Sequence, residues 1–378
     1  MKHLRFHFVS LLMVALTLAA CDVHQWPELH PDNPDVPNYP DVPNNPDVPN
    51  GPDDPIDPDI PKMTIPMRLE YETDFYLWEH KYDPLLGKVE EENPSLSLFP
   101  DYPGTSDKYD NTQPSGILQV YAKVYSASTS QCVSVQNYTF NINGTYDTDF
   151  ELEIPNSGIY DIVVWTHIAE DEAAVPFYNP ANFNQVHIIT DNYKGNTDYR
   201  DGYRGKIRID AATEINGRYI VLMNRPMGKF ELITTDLSEF LDRETEARRL
   251  YTRARPEDYR VVISFPMYYP ASYSAIDDRL ENAYTGMSFE TQMTVTGDSE
   301  ASLGFEYVML NNISDGAVQT QVNVYRLDGT HVAGSSMFTI PMRRDHHTLL
   351  RGAFLSTEGN GGVGIDPGFN GDHNITWH

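Results

Sequence analysis

Two adjacent histidines, a glycine-rich segment holding carboxylates and amides, and a cysteine inside an apolar-polar run are the residues that invite chemistry in this chain. His346-His347 offers two imidazoles, but neighbouring strand residues point to opposite faces, so one metal ion cannot readily take both. Gly359 to Asp372 supplies oxygens of the kind calcium accepts, yet lacks the Asp-x-Asp-x-Asp-Gly spacing and reads as a glycine-rich loop. Cys132 stands in Gln131-Cys132-Val133-Ser134-Val135, where a buried inert thiol is expected rather than a nucleophile. Beyond Lys62 there is no Gly-x-Ser-x-Gly elbow, phosphate-binding glycine loop or His-x-x-x-His zinc pair. Carboxylates are so plentiful that no glycosidase pair stands out. The reading therefore assigns no catalytic residue and no metal site.

At the N-terminus, Lys2 and Arg5 precede an apolar run from Phe6 to Ala20 that stops at Cys21. A positive flank, a short apolar core and small residues at the cut site predict a signal peptide over residues 1–20, since a bilayer span needs roughly 20 apolar residues. The ending Leu18-Ala19-Ala20-Cys21 resembles the bacterial lipobox. That resemblance implies cleavage between Ala20 and Cys21 and a covalent diacylglycerol on the Cys21 thiol; no other cofactor is expected. Acyl chains contribute about 0.8 kcal/mol per buried methylene, so a multiply acylated cysteine holds a membrane durably where one chain does not.

From Pro31 to Pro61, eleven prolines stand in strict triplet register, with the repeat visible in Pro34-Asp35-Val36-Pro37-Asn38-Tyr39 and Pro40-Asp41-Val42-Pro43-Asn44-Asn45. Polyproline II has three residues per turn, so the rings form one stripe, and 31 residues extend to at most about 95 Å. Glycine lacks the register that collagen needs. Asp22 to Pro61 carries ten acidic residues and no Lys or Arg, so self-repulsion also favours extension. Residues 21–62 thus read as a stiff Pro/Asp-rich stalk.

The 317 residues from Lys62 onward exceed the size at which one core usually keeps growing, so two domains are expected. The formal charge of −28 becomes −30 without Lys2 and Arg5, and −20 once the ten stalk acids are set aside. Such a surface argues against nucleic acid as a partner. With Cys21 taken by lipid, no second cysteine remains to form a disulfide with Cys132, so no disulfide framework is expected.

Side chains in this part alternate with period two. Leu118, Val120, Ala122 and Val124 alternate with polar or amphipathic residues, and Phe150-Glu151-Leu152-Glu153-Ile154, Lys206-Ile207-Arg208-Ile209-Asp210 and Tyr259 to Phe265 do likewise. Asn143-Gly144 and Asp328-Gly329 read as hairpin turns, and Met287 to Val295 as one strand. Many short strands between turn signals predict an all-β chain of antiparallel sheets packed face to face. One helix follows Asp236, its expected N-cap, with Leu237, Phe240, Leu241, Ala247 and Tyr251 on one face and Pro256 as its stop. Its arginines form a solvated face or offer a protease a cut site. The 24 tyrosines mostly alternate into strands, where packing is expected, although an exposed aromatic platform would suit carbohydrate.

The sequence from Cys21 to Glu28, Leu222-Met223-Asn224-Arg225-Pro226-Met227-Gly228-Lys229-Phe230-Glu231-Leu232, Phe265 to Pro270, Ile340 to Thr348 and Gly352-Ala353-Phe354-Leu355 together resemble Bacteroidales fimbrial anchor lipoproteins of the minor- and major-fimbria type. The resemblance implies two tandem transthyretin-like β-sandwiches, over residues 63–224 and 225–378, on an outer-membrane lipoprotein exposed at the cell surface. It further implies fimbrial subunits as partners, docked by strand exchange, with host or bacterial surface ligands as further partners. Strand addition satisfies unpaired backbone groups and seats alternate side chains in pockets. Met67-Arg68-Leu69-Glu70-Tyr71, the expected first strand beside an edge groove, and Asn374 to His378 are the candidate docking segments. A surface glycan-binding lipoprotein would use the same lipid, stalk and sandwiches, and is the alternative expectation.

Overall fold

This computed structural model describes residues 61–91 and 114–356, other than 172, 192, 214–216, 250 and 313–314, together with the backbone of 108–109 and 371–373. Alternation places its strands. In β5 (Gly116–Ser126) Leu118, Val120, Ala122 and Val124 are fully buried, and β5 lies between β6 (Cys132–Ile142) and β8 (Ile159–Ala169), with β11 (Gly202–Asp210) beyond β8. A second sheet shares their core and runs β12 (Tyr219–Met223), β1 (Lys62–Tyr71), β7 (Thr148–Pro155). Ile65, Met67 and Leu69 of β1 and Phe150, Leu152 and Ile154 of β7 fill the space between the sheets. These seven strands form the first sandwich.

Asn143-Gly144 does not close a hairpin. Gly144 adopts positive φ, as a turn there requires, but β6 and β7 belong to opposite sheets, so the turn rounds a corner of the sandwich. Side chains close that corner: Gln136 Nε2 donates to the Glu153 carbonyl at 2.7 Å, Gln136 Oε1 accepts from the Glu153 amide at 3.0 Å, and the Tyr138 hydroxyl donates to the Glu151 carbonyl at 2.6 Å. The opposite corner closes through backbone, where Arg204 and Asn224 exchange amide-to-carbonyl bonds of 2.9 and 2.8 Å. Beside it, a Cβ on Gly205 would lie 2.5 Å from Val221 Cγ1 and 2.6 Å from Met223 Sδ. Gly205→Ala is therefore expected to lower stability by about 1–3 kcal/mol through overpacking, read as a reduced denaturant midpoint at unchanged slope.

The second sandwich shares a core between two further sheets. One runs β18 (Thr294–Val295), β19 (Ala301–Met309), β13 (Met227–Thr234), β23 (His346–Gly352), β2 (Phe75–Asp83), β3 (Lys88–Glu91), with β4 (Lys108–Tyr109) also on β2. The other runs β17 (Met287–Thr291), β14 (Tyr259–Phe265), β20 (Gly316–Arg326), with β21 (His331–Gly334) and β22 (Phe338–Met342) both paired to β20. Asp328-Gly329 does turn a hairpin, between β20 and β21. The expected strand Met287 to Val295 breaks after Thr291, and its last residues pair elsewhere as β18. A fifth sheet runs β24 (Gly371–His373), β16 (Arg279–Thr285), β15 (Tyr269–Ser274), β10 (Val186–Ile188), β9 (Tyr178–Asn179). It reaches the first sandwich through Trp165 of β8, which is fully buried against Tyr178 and Tyr273.

The chain is all-β and sandwich-built, but the sheets are mixed. β1 with β12, β13 with β23 and β2 with β23 pair in parallel, because the chain crosses between sandwiches before returning. The helix, α1 (Leu237–Ala247), is shorter than its pattern predicts: Arg249 turns to positive φ, so Tyr251 lies outside the helix and is fully exposed. Ala247 is exposed too, and Glu244 takes the buried place, held by Arg326 at 2.7 and 3.1 Å. Asp236 precedes the helix without capping it; its carboxylate accepts from the Thr234 hydroxyl and the Leu355 amide.

Candidate docking surfaces and the junction between the sandwiches

Met67 to Tyr71 lie in the middle of a sheet, not at its edge. β1 pairs with β7 from Lys62 to Leu69 and with β12 from Met67 to Tyr71, which corrects the expected open groove: β1 fills it. An incoming strand can dock here only by displacing β1 or a neighbour. Met67 and Leu69 point into the core, while Arg68 points outward to Glu70, Asp147 and Asp149, each at 3.1 Å. Exposed pairs of this kind contribute little, because solvent screens them. The inward side carries the cohesion. Tyr71 meets Tyr146 and Tyr203 edge to face at 5.8 and 5.1 Å.

Where β12 hands over to β13, a fully buried arginine gathers three segments. Arg225 donates through Nε to Asp201 at 2.8 Å and through Nη2 to Asp201 at 2.9 Å, the Tyr203 hydroxyl at 2.6 Å and the Thr73 carbonyl at 2.8 Å. Nη1 reaches the Asp74 carbonyl at 3.4 Å and Asp345 at 3.5 Å, and the guanidinium lies 3.9 Å above the Phe75 ring. Burial opposes its charge, but Asp201, Tyr203 and Tyr307 together outweigh burial, so its pKa stands well above the ordinary guanidinium value. Burial pushes the Asp345 carboxyl up to about 6.

A second buried pair lies close by in the fold. Arg200 Nε donates to Glu306 at 2.6 Å, and Glu306 also accepts from the Tyr307 amide at 2.8 Å and the Tyr193 hydroxyl at 2.9 Å. Lys229 and the Tyr307 hydroxyl both donate to Asp198, at 2.8 and 2.6 Å. Sequence reading found the Leu222 to Leu232 junction but not these roles. The available signal was a lone arginine inside an apolar run, which has to be paired once buried.

The histidine pair diverges as strand geometry requires. His346 faces Tyr76 at 5.4 Å and Trp78 at 6.1 Å, whereas His347 turns to the other side, 3.4 Å from Glu231. Around His346 an aromatic array forms: Trp78 meets His80 at 4.6 Å, its Nε1 donates to Glu91 at 2.9 Å, and Arg343 lies 4.4 Å over its ring while paired to Asp315. Tyr76 is the exposed member. Cys132 is fully buried, with its thiol donating to the Ser134 carbonyl.

Ala20, Cys21, Asn374 to His378 and most of the Gly359 to Asp372 segment lie outside the described residues. Among the described residues no group of three or more His, Cys, Asp or Glu converges as metal ligands, and no helix is long and apolar enough to cross a membrane.

Several solved structures are similar in part. The fimbrial anchor protein Mfa2 from Porphyromonas gingivalis matches at 10% identity and TM-score 0.35, covering 72% of this chain and 82% of its own. A fimbrial assembly protein from Parabacteroides distasonis matches at 10% identity and TM-score 0.36, covering 79% and 93%. A candidate polysaccharide-binding protein from Bacteroides thetaiotaomicron matches at 9% identity and TM-score 0.37, covering 72% and 80%. Likeness at this level carries no argument about activity. The comparison with curated proteins finds no match. A family model matches residues 95–378, three quarters of the sequence, and the chain therefore belongs to the family described as a family of unknown function, DUF6562.

Proposed function

We propose that this protein is a surface lipoprotein that docks subunits of a fimbria, as an anchor or accessory subunit, and so supports adhesion. The observation that carries the reading is the direct succession of a lipobox-like Cys21, a proline-triplet stalk and β1, which begins where the stalk ends. In this reading residues 1–20 are removed between Ala20 and Cys21, a diacylglycerol on Cys21 holds the outer membrane, residues 21–62 space the fold from it, and the parts of the chain on either side of Asn224 and Arg225 present the docking surfaces. Strand exchange would act at β1, whose alternate inward side chains Ile65, Met67 and Leu69 are those a replacing strand would have to match. The acidic surface leaves nucleic acid out of the partner set. Filaments sheared from cells and purified are expected to retain the protein. Its absence from every polymer, together with measurable polysaccharide binding, would overturn the reading.

The aromatic array favours one further reading, a surface glycan-binding lipoprotein, because an exposed Tyr76 beside His346, with Glu91, Asp315 and Arg343 around Trp78, suits stacking and hydrogen bonding to a sugar. Under it, Tyr76→Ala abolishes polysaccharide binding and leaves the melting temperature unchanged, and the protein is absent from sheared filaments.

A further inference from the structure

We propose that the continuous run from β1 into β2 is a load-bearing rod that carries tension from the stalk through both sandwiches. β1 starts at Lys62, where the stalk ends, and only Glu72 to Asp74 separate it from β2. Yet β1 is a strand of the first sandwich and β2 a strand of the second. After returning to the first sandwich at β5, the chain crosses in this sense again, from β12 through Asn224, Arg225 and Pro226 to β13. Both crossings run in the same direction. β1 is parallel to β12 at the near end, while β2 and β13 are each parallel to β23, which separates them, at the far end.

The two crossings are tied to one another. Arg225 on the second donates to the Thr73 and Asp74 carbonyls on the first, and the Glu72 amide donates to the Met223 carbonyl at 3.5 Å. Its remaining bonds go to Asp201 and Tyr203, so the tie is itself held inside the fold.

A pull at Lys62 away from the second sandwich acts along β1. Its register engages eight residues of β7 and five of β12, and after Glu72 to Asp74 the chain continues into β2, engaged with seven residues of β23. A strand drawn along its own axis loads these ladders together, whereas a strand peeled sideways loads them one bond at a time. Slippage is opposed as well. A one-residue shift turns Ile65, Met67 and Leu69 to the wrong face, and a two-residue shift carries them about 7 Å from their places in the core. Survival under force is set by the unfolding rate, which this geometry slows.

The inference rests on the tether reading only for the origin of the pull; the load path is a property of the fold. The test is single-molecule pulling on the full chain after the signal segment, made without lipid. One pair of handles sits at Cys21 and Asp328→Cys, in the exposed β20–β21 turn. A second pair sits at Asn143→Cys and Asp328→Cys in a Cys21→Ser background. First rupture on the stalk axis is expected at about twice the force of the Asn143 axis. Arg225→Lys, which keeps the charge and loses the fork, should lower the stalk-axis value alone. Equal or lower force on the stalk axis would overturn the proposal. An unchanged stalk-axis force in Arg225→Lys would remove Arg225 from the load path. Failure of membrane attachment, read by cell fractionation, leaves these forces untouched, so the two readings fail separately.

Discussion

Arg225→Ala is expected to cost about 3–5 kcal/mol, since it leaves Asp201 buried without its cation and strands the Thr73 and Asp74 carbonyls. Much of that cost is the unpaired carboxylate. Among the described residues Asp201 keeps only the Gly202 amide and the Tyr203 hydroxyl as donors, too few to replace a bidentate guanidinium. Arg225→Ala combined with Asp201→Ala should therefore recover part of the loss, measured in chemical denaturation as a double-variant loss smaller than the sum of the two single losses. Additive single losses would mean that the two side chains do not act as one unit. The same variant should raise amide exchange from Glu72 to Asp74, because that crossing is held by the arginine rather than by a sheet ladder.

Acid is expected to destabilise the fold through His167. Its ring is fully buried on β8, stacked on Tyr121 at 5.6 Å and edge to face with Tyr178 at 5.8 Å, and burial lowers its pKa to about 4. The sign follows from proton uptake: between about pH 4 and 6.5 the unfolded chain binds a proton that the native ring does not, so stability falls as pH falls. The contribution is fully present above the ordinary histidine pKa, and about 2 kcal/mol of it is lost by pH 5. His80, His346 and His347 are lowered in the same direction, each with burial as the leading cause. His167→Gln should flatten the dependence of melting temperature on pH between 6.5 and 5. An unchanged slope would show that other groups govern acid unfolding. Asp345 works against this trend, because its raised pKa favours the native state at lower pH.

Alternation was enough to assign faces. Leu118, Val120, Ala122 and Val124 are all inside because a period of two leaves one side of a strand apolar, and Tyr259 to Phe265 behaves the same way. Partners were not legible, because pairing is decided by distant strands. Phe75 to Asp83 lies early in the chain yet joins β23, and Met67 to Tyr71 reads as a first strand whose second neighbour, β12, comes far later in sequence. Asn143-Gly144 has the residues of a hairpin turn, but the same positive φ also serves a corner between sheets. For the helix, periodicity predicted Leu237, Phe240 and Leu241, then overran into Tyr251, because nothing local announces that Arg249 leaves helical φ. Met67 to Tyr71 is thus a strand, as its alternation says, but one paired on both sides rather than lying at an edge.

The central claim, a chain held to the outer membrane by Cys21 and displayed on its stalk, is tested most directly by fractionating cells that carry Cys21→Ser. The account predicts that the natural chain stays with the outer membrane and is cut by protease added to intact cells, and that Cys21→Ser leaves the membrane fraction and no longer reaches the surface. A Cys21→Ser protein as membrane-bound and as surface-accessible as the natural chain would contradict it.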